Sequence, residues 1–159
     1  MDLGAIIFYR FDLVFTYIMI YAFIINSFLV ACAVLIHYEV LNFLSMLIPR
    51  LNFIHRLRVL FGLFGALFAH IMEIWLFAFA YYFMIRSGYF GTLKGAFDNS
   101  LMDCSYFSFT TYTSIGFGDI EPMGDIRFLA GLEALTGLVL IAWTSSFMFL
   151  EMQKLWRDK

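Results

Sequence analysis

Three long apolar runs set the frame of the chain. The first extends from Phe11 to Ile36 and is broken only by Asp12 and Asn26. The second extends from Leu60 to Ile85 and carries His70 and Glu73. The third, from Ile126 to Leu150, carries Arg127 and Glu133 near its start. About 20 residues of α-helix cross the hydrocarbon of a bilayer, so each run predicts a transmembrane helix. Between the first two, Tyr38 to Arg58 mixes Leu41, Phe43, Leu44, Met46 and Leu47 with Glu39, Asn42, Arg50, Asn52, Arg56 and Arg58. The apolar positions there recur at helical spacing up to Pro49, which lacks the amide hydrogen that a helix interior needs. This piece either extends the first helix beyond the membrane or lies along the interface.

The segment from Ser87 to Asp125 is different, rich in Ser, Thr, Gly and aromatics, with no run long enough to span. Within it, Ser100 to Tyr112 predicts a short helix, capped by Asp98, Asn99 or Ser100 and carrying Asp103 in its first turn. About 13 residues at 1.5 Å each reach roughly 20 Å, more than halfway through the hydrocarbon. The segment therefore predicts a re-entrant loop that enters and leaves by the same face.

Directly after that helix come Thr113, Ser114, Ile115, Gly116, Phe117, Gly118 and Asp119. A dehydrated cation needs oxygen ligands in place of its lost water. Backbone carbonyls supply them if successive ones face one axis, which an ordinary strand, with its alternating carbonyls, does not allow. Glycines at alternate positions relax this, because they accept positive φ. Gly116 and Gly118 are placed in that way, Ser114 can add a ring of hydroxyls, and Ile115 and Phe117 are expected to pack against the short helix. The same residues also read as a glycine turn in an outer loop. A phosphate loop fits less well, because no Lys follows the glycines and Asp119 and Glu121 repel phosphate.

The run Thr113-Ser-Ile-Gly-Phe-Gly-Asp119 resembles the potassium channel signature T-T-V-G-Y-G-D. In the order short helix, filter, spanning helix, about Leu60 to Leu150 is similar to the pore of two-transmembrane bacterial potassium channels, with one extra N-terminal span. The stretch Tyr106 to Asp119, followed by Pro122, Arg127, Glu133 and Gly137, carries the same likeness. The resemblance implies an all-α membrane protein of three transmembrane helices, a re-entrant pore helix and a selectivity filter. Residues 1–58 would form the N-terminal helix and connector and 59–159 the pore domain. The pore domain divides into outer helix 60–85, pore helix 100–112, filter 113–119 and inner helix 126–150. It implies K+ held at Ser114, Ile115, Gly116 and Phe117, with Gly118 completing the filter and Asp119 at the outer mouth. Thr110, Thr113, Tyr106, Phe107 and Glu133 would support the filter, and Gly137 would be a gating hinge. Permeant K+ is the only cofactor implied. The implied partners are membrane lipids and identical subunits, with no auxiliary subunit, in a bacterial inner membrane. One filter motif and no internal repeat call for a homotetramer, because one strand of carbonyls cannot surround an ion while four can. Ser114 stands where the signature has Thr and Phe117 where it has Tyr. Thr110 takes a position that is a glutamate in some members, so a carboxylate bracing Asp119 comes from elsewhere or is absent.

Composition agrees with lipid as the solvent. Of 159 residues 63% are hydrophobic, and the mean hydropathy is +0.86, too apolar for a soluble domain. A net charge of −2 offers no basic face for nucleic acid. Cys32 and Cys104 have neither metal-site nor redox spacing, and Met1-Asp2 opens no basic signal leader. Arg50, Arg56 and Arg58 share one side with Lys154, Arg157 and Lys159, while Arg10, Arg86, Lys94 and Arg127 scatter on the other. The basic clusters put the C-terminus in the cytoplasm and the N-terminus outside.

The ionisable groups inside the spans call for partners. His70 and Glu73 lie on one helix face. Glu73 is either protonated, paired with His70, or bonded to Asn26 or Ser27. Such a site either glues helices or, as His70 titrates, influences gating. With His37 the pair also suggests a membrane metalloprotein, although two histidines and a carboxylate specify no metal without geometry. Glu133 is expected to bond Ser108 or Thr110, or to reach interfacial water. Gly137 is a hinge or, with Ala130, Gly131 and Ala134, a close helix contact. Phe147 and Phe149 form a hydrophobic gate or face lipid. A weakly selective cation channel is the other alternative to potassium selectivity, and no enzyme is expected. No arginine ladder marks a voltage sensor, no ligand-binding domain is expected after Lys159, and the gating stimulus stays open.

Overall fold

The first apolar run and the connector as far as Leu47 form one helix. Helix α1 runs unbroken over Leu3–Leu47 and stops in a 3-10 turn, Ile48–Arg50, that contains Pro49. The connector therefore takes the first of its two forms and extends the span. The computed structural model describes residues 3–50 and 55–157, with the side chains of 16–50 and 57–154. Asn52 and Lys159 lie outside these, as do the side chains of Phe11, Asp12, Arg10, Arg56 and Arg157. Helix α2 covers His55–Ser87, α3 covers Leu101–Tyr112 and α4 covers Ile126–Arg157. Three stretches, Thr16–Arg50, Leu57–Ser87 and Ile126–Lys154, are long and apolar enough to cross a membrane. The chain is an all-α membrane protein.

The loop between α2 and α4 holds a pair of strands that carried no sequence signal. Strand β1, Thr92–Gly95, pairs antiparallel with β2, Ile120–Met123, with Thr92 opposite Met123 and Gly95 opposite Ile120. Four-residue strands containing Lys94, Gly95 and Pro122 lack the alternation that marks a strand. They join the approach to α3 to the segment that leaves the filter motif, and the amide of Ala96 adds a bond to the carbonyl of Asp119 at 2.9 Å. Helix α3 begins at the cap Ser100, whose hydroxyl accepts the amide of Asp103 at 3.0 Å. The Asp103 carboxylate accepts the amide of Asp98 at 2.9 Å. That bond, ahead of the one with Ser100, holds the Asp103 carboxyl below its ordinary range.

Two apolar clusters hold the helices together. One joins Phe77 and Tyr81 of α2, Phe107 and Tyr112 of α3, and Leu129 and Leu140 of α4. The other joins Leu41, Leu44 and Ile48 to Ala66, with Phe147 packed against it. Phe147 thus faces its own chain, and of the two candidate gate residues only Phe149 is exposed. In lipid, helices gain nothing from hiding apolar surface from water, so close packing and polar contacts must bind them.

Among the glycines of the described helices, close approach is tightest at Gly137. Helix α4 is continuous through this residue, and a Cβ added there would lie 2.1 Å from the carbonyl oxygen of Tyr112. Gly131 meets no such neighbour. The packing reading of Gly137 therefore has a named partner, the C-terminus of α3. Gly137→Ala should lower the stability of the purified protein by about 1–3 kcal/mol, the usual cost of overpacking. Gly131→Ala should be tolerated. Thermal unfolding in detergent measures both.

Candidate functional site

The filter motif starts as the cap of α3. The amide of Ser114 donates to the carbonyl of Thr111 at 2.9 Å, and that of Ile115 donates to Thr110 at 2.9 Å. Ser114 has φ +56°. These are the two bonds and the left-handed residue of a Schellman cap, a position that usually takes glycine. The amide of Gly116 also reaches the carbonyl of Thr110, at 3.1 Å. Positive φ then recurs at Gly116, +51°, and Gly118, +79°, and is absent from Ile115 and Phe117 between them. Alternating left-handed with ordinary residues turns every second peptide over. It thereby undoes the alternation of carbonyls that an extended strand would have.

Around this segment several expectations change. Ile115 and Phe117 do not pack on their own chain's α3; they are 59% and 69% exposed. Tyr106 and Phe107 point different ways. Phe107 is buried and meets Tyr81 edge-on, with ring centroids 5.0 Å apart. The Tyr106 hydroxyl donates to Asp119 Oδ2 at 2.9 Å, so Asp119 is held by a phenol rather than a carboxylate. That bond pushes the Tyr106 phenol above its ordinary pKa. The Thr113 hydroxyl donates to the carbonyl of Phe109 at 2.7 Å and so stays with its own helix.

Glu133 is fully buried. Its Oε1 accepts from the Ser108 hydroxyl at 2.5 Å and its Oε2 from the Tyr81 hydroxyl at 2.5 Å. The hydroxyl of Thr110, also on α3, instead bonds the carbonyl of Phe107 at 3.0 Å. A bond within α3 is always within reach of a threonine hydroxyl, whereas Glu133 sits over the neighbouring turn. Nothing in the sequence singled out Tyr81.

His70 and Glu73 belong to a larger network than their spacing implied. Nδ1 of His37 lies 2.9 Å from Glu73 Oε1, and Nδ1 of His70 lies 3.3 Å from Glu73 Oε2. The Tyr112 hydroxyl donates to Glu73 Oε2 and is 2.8 Å from His70 Nδ1. Nε2 of His70 and Nε2 of His37 both face Thr144 Oγ1, at 3.0 Å and 3.3 Å. The network therefore joins α1, α2, α3 and α4. Of the alternatives for Glu73, pairing with His70 is the one seen, and Asn26 and Ser27 take no part. Ser27 is exposed, and both amide atoms of buried Asn26 lack a partner, which nothing in the structure explains. The Trp143 ring, 5.4 Å from that of His37, flanks the network. A cavity of about 410 Å³, lined by Leu67, His70, Phe109, Tyr112 and Thr144 among others, opens beside it. Tyr112 and Thr144 had no mark in the sequence beyond their places in α3 and in an apolar run.

Residues 59–154 match a family described as ion channels. The chain belongs to this ion channel family. Comparison with curated proteins and with solved structures brings no match.

Glu133→Ala would strand the buried Tyr81 hydroxyl, at about 1–3 kcal/mol, while Ser108 could still donate to the carbonyl of Ile74 at 2.8 Å. It should destabilise the protein far more than Glu133→Gln, which retains an acceptor, and denaturant unfolding in detergent reads the difference. Tyr106→Phe, which frees Asp119 of its phenol donor, should leave stability nearly unchanged and change the single-channel amplitude.

Proposed function

We propose that four copies of this chain surround a central axis and conduct K+ passively through a filter formed by Ser114, Ile115, Gly116, Phe117 and Gly118. The observation that carries this reading is the recurrence of positive φ at 114, 116 and 118, directly behind the cap of a short helix held between two spanning helices. A segment of this kind can aim successive carbonyls at one axis, so that an ion leaving water finds oxygen ligands at once. Potassium channels are the type case for that logic. The Ser114 hydroxyl adds the innermost ring. The C-terminal end of α3, where its macrodipole is negative, stands at the same point and favours a cation. Four Asp119 carboxylates, each steadied by Tyr106, concentrate cations at the outer mouth.

Exposure of Ile115 and Phe117 in the single chain also supports assembly, since a neighbouring copy would cover them. The basic residues support an outside N-terminus and a cytoplasmic C-terminus, and the likeness to bacterial channels supports a bacterial inner membrane.

Purified protein in a planar bilayer under opposed K+ and Na+ gradients should reverse near the K+ equilibrium potential. Reversal near zero would identify a weakly selective cation channel and sink the selectivity assignment. Gly116→Ala should abolish selective current, because alanine resists positive φ. Asp119→Asn should reduce inward current most at low ionic strength, where screening is weakest. Native mass spectrometry should find a tetramer; a stable dimer or trimer contradicts the assembly.

A further inference from the structure

We propose that His37, His70 and Glu73 bind a divalent transition-metal cation of the zinc class, between α1 and α2 and against the C-terminus of α3. The site does not depend on which ion the pore selects.

Convergence comes first. One ligand atom from each residue lies within 4.8 Å of the others. His37 and Glu73 are fully buried. Among the described residues, no lysine or arginine pairs with Glu73. A carboxylate at membrane depth needs a compensating charge, and here the only candidates are a protonated imidazole or a bound cation.

The orientation of the two rings leaves room for the cation. Both Nδ1 atoms face the Glu73 carboxylate, and both Nε2 atoms face one hydroxyl oxygen, Thr144 Oγ1. A hydroxyl has one hydrogen and two lone pairs. Without a metal, one ring protonated on Nδ1 and the other on Nε2 satisfy Thr144, which donates to one ring and accepts from the other. If both rings carry their proton on Nε2, Thr144 accepts from both. Two Nδ1 lone pairs and a carboxylate then point at one place, where they repel each other unless a cation sits among them. Metal-bound histidines characteristically give their other N–H to an orienting partner, which is the part Thr144 plays here.

Two imidazoles and a carboxylate suit zinc, which also takes a fourth donor. The Tyr112 hydroxyl, hydrogen-bonded to Glu73 and 2.8 Å from His70 Nδ1, stands where that donor is needed. Tetrahedral ligands about 2.0–2.1 Å from zinc lie roughly 3.4 Å apart, so binding would draw the most distant donors inward. Nitrogen donors favour zinc, cobalt, nickel or copper over magnesium and calcium. Because Tyr112 precedes Thr113 and the filter motif in the chain, occupancy would fix α1 and α2 against the end of α3.

The chain has three histidines, His37, His55 and His70, so the test needs protein freed of any histidine tag. Equilibrium dialysis of the purified assembly against Zn2+, Co2+, Mg2+ or Ca2+ should load about one zinc or cobalt per chain and no magnesium or calcium. His37→Gln and His70→Gln should lose the metal, and His55→Gln should retain it. Thr144→Val should weaken affinity by about 10–100-fold. His37→Cys, which supplies a thiolate, should regain zinc, separating loss of a ligand from loss of fold. X-ray absorption of the zinc-loaded wild type should report nitrogen and oxygen neighbours only. Sulfur neighbours would assign the metal to Cys32 or Cys104 and overturn the proposal. So would no retained metal, equal retention in both histidine variants, or nitrogen NMR showing a doubly protonated imidazole in zinc-saturated protein.

Discussion

A helix of 12 residues cannot cross a membrane, and its polar side chains cannot be left bare in one. Helix α3 is such a helix, and everything around the filter motif depends on how it is held. Two buried carboxylates hold it: Glu73 of α2 accepts from Tyr112 at its last turn, and Glu133 of α4 accepts from Ser108 at its middle. Apolar burial has no driving force between helices in lipid, so these hydrogen bonds and the close contact at Gly137 carry the docking. Each carboxylate in turn needs further partners. Glu133 finds Tyr81, and Glu73 finds His37 and His70.

The fixed C-terminus of α3 then sets the backbone that follows. Ser114 serves at once as the left-handed cap residue of the helix and as the first residue of the glycine-alternating segment. A non-glycine residue held there costs about 1–3 kcal/mol, and the bonds to Thr110 and Thr111 offset it. At the far end the segment is tied by Tyr106 to Asp119 and by the pairing of β1 with β2. Both ends are thus held by the chain's own atoms, while Ile115 and Phe117 between them are left uncovered.

The N-terminal helix α1 enters the polar network through His37. Its ring shares Glu73 with His70 and shares Thr144 as well, so a displacement of α1 would disturb α2, α4 and the end of α3 together. The polar network thus connects α1 to the end of α3.

Much was legible in the sequence because lipid is a demanding solvent. Twenty or more apolar residues in a row have no other common use, so the spans were plain. The glycine spacing at 116 and 118 declared its backbone, since few residue types accept positive φ. Glu133 was legible as a carboxylate needing a partner, and Ser108 was among the partners named for it. What sequence could not decide was identity across distance. Tyr81, Tyr112 and Thr144 read as ordinary members of apolar helices, and only the angle and rotation at which α2, α3 and α4 pack turn their hydroxyls toward Glu133, Glu73 and the two histidines. The short strands, the exposure of Ile115 and Phe117 and the phenol on Asp119 were hidden for the same reason. Periodicity records which face of a helix is apolar, while a hydrogen bond between helices depends on ångström-scale placement that only the packed structure determines.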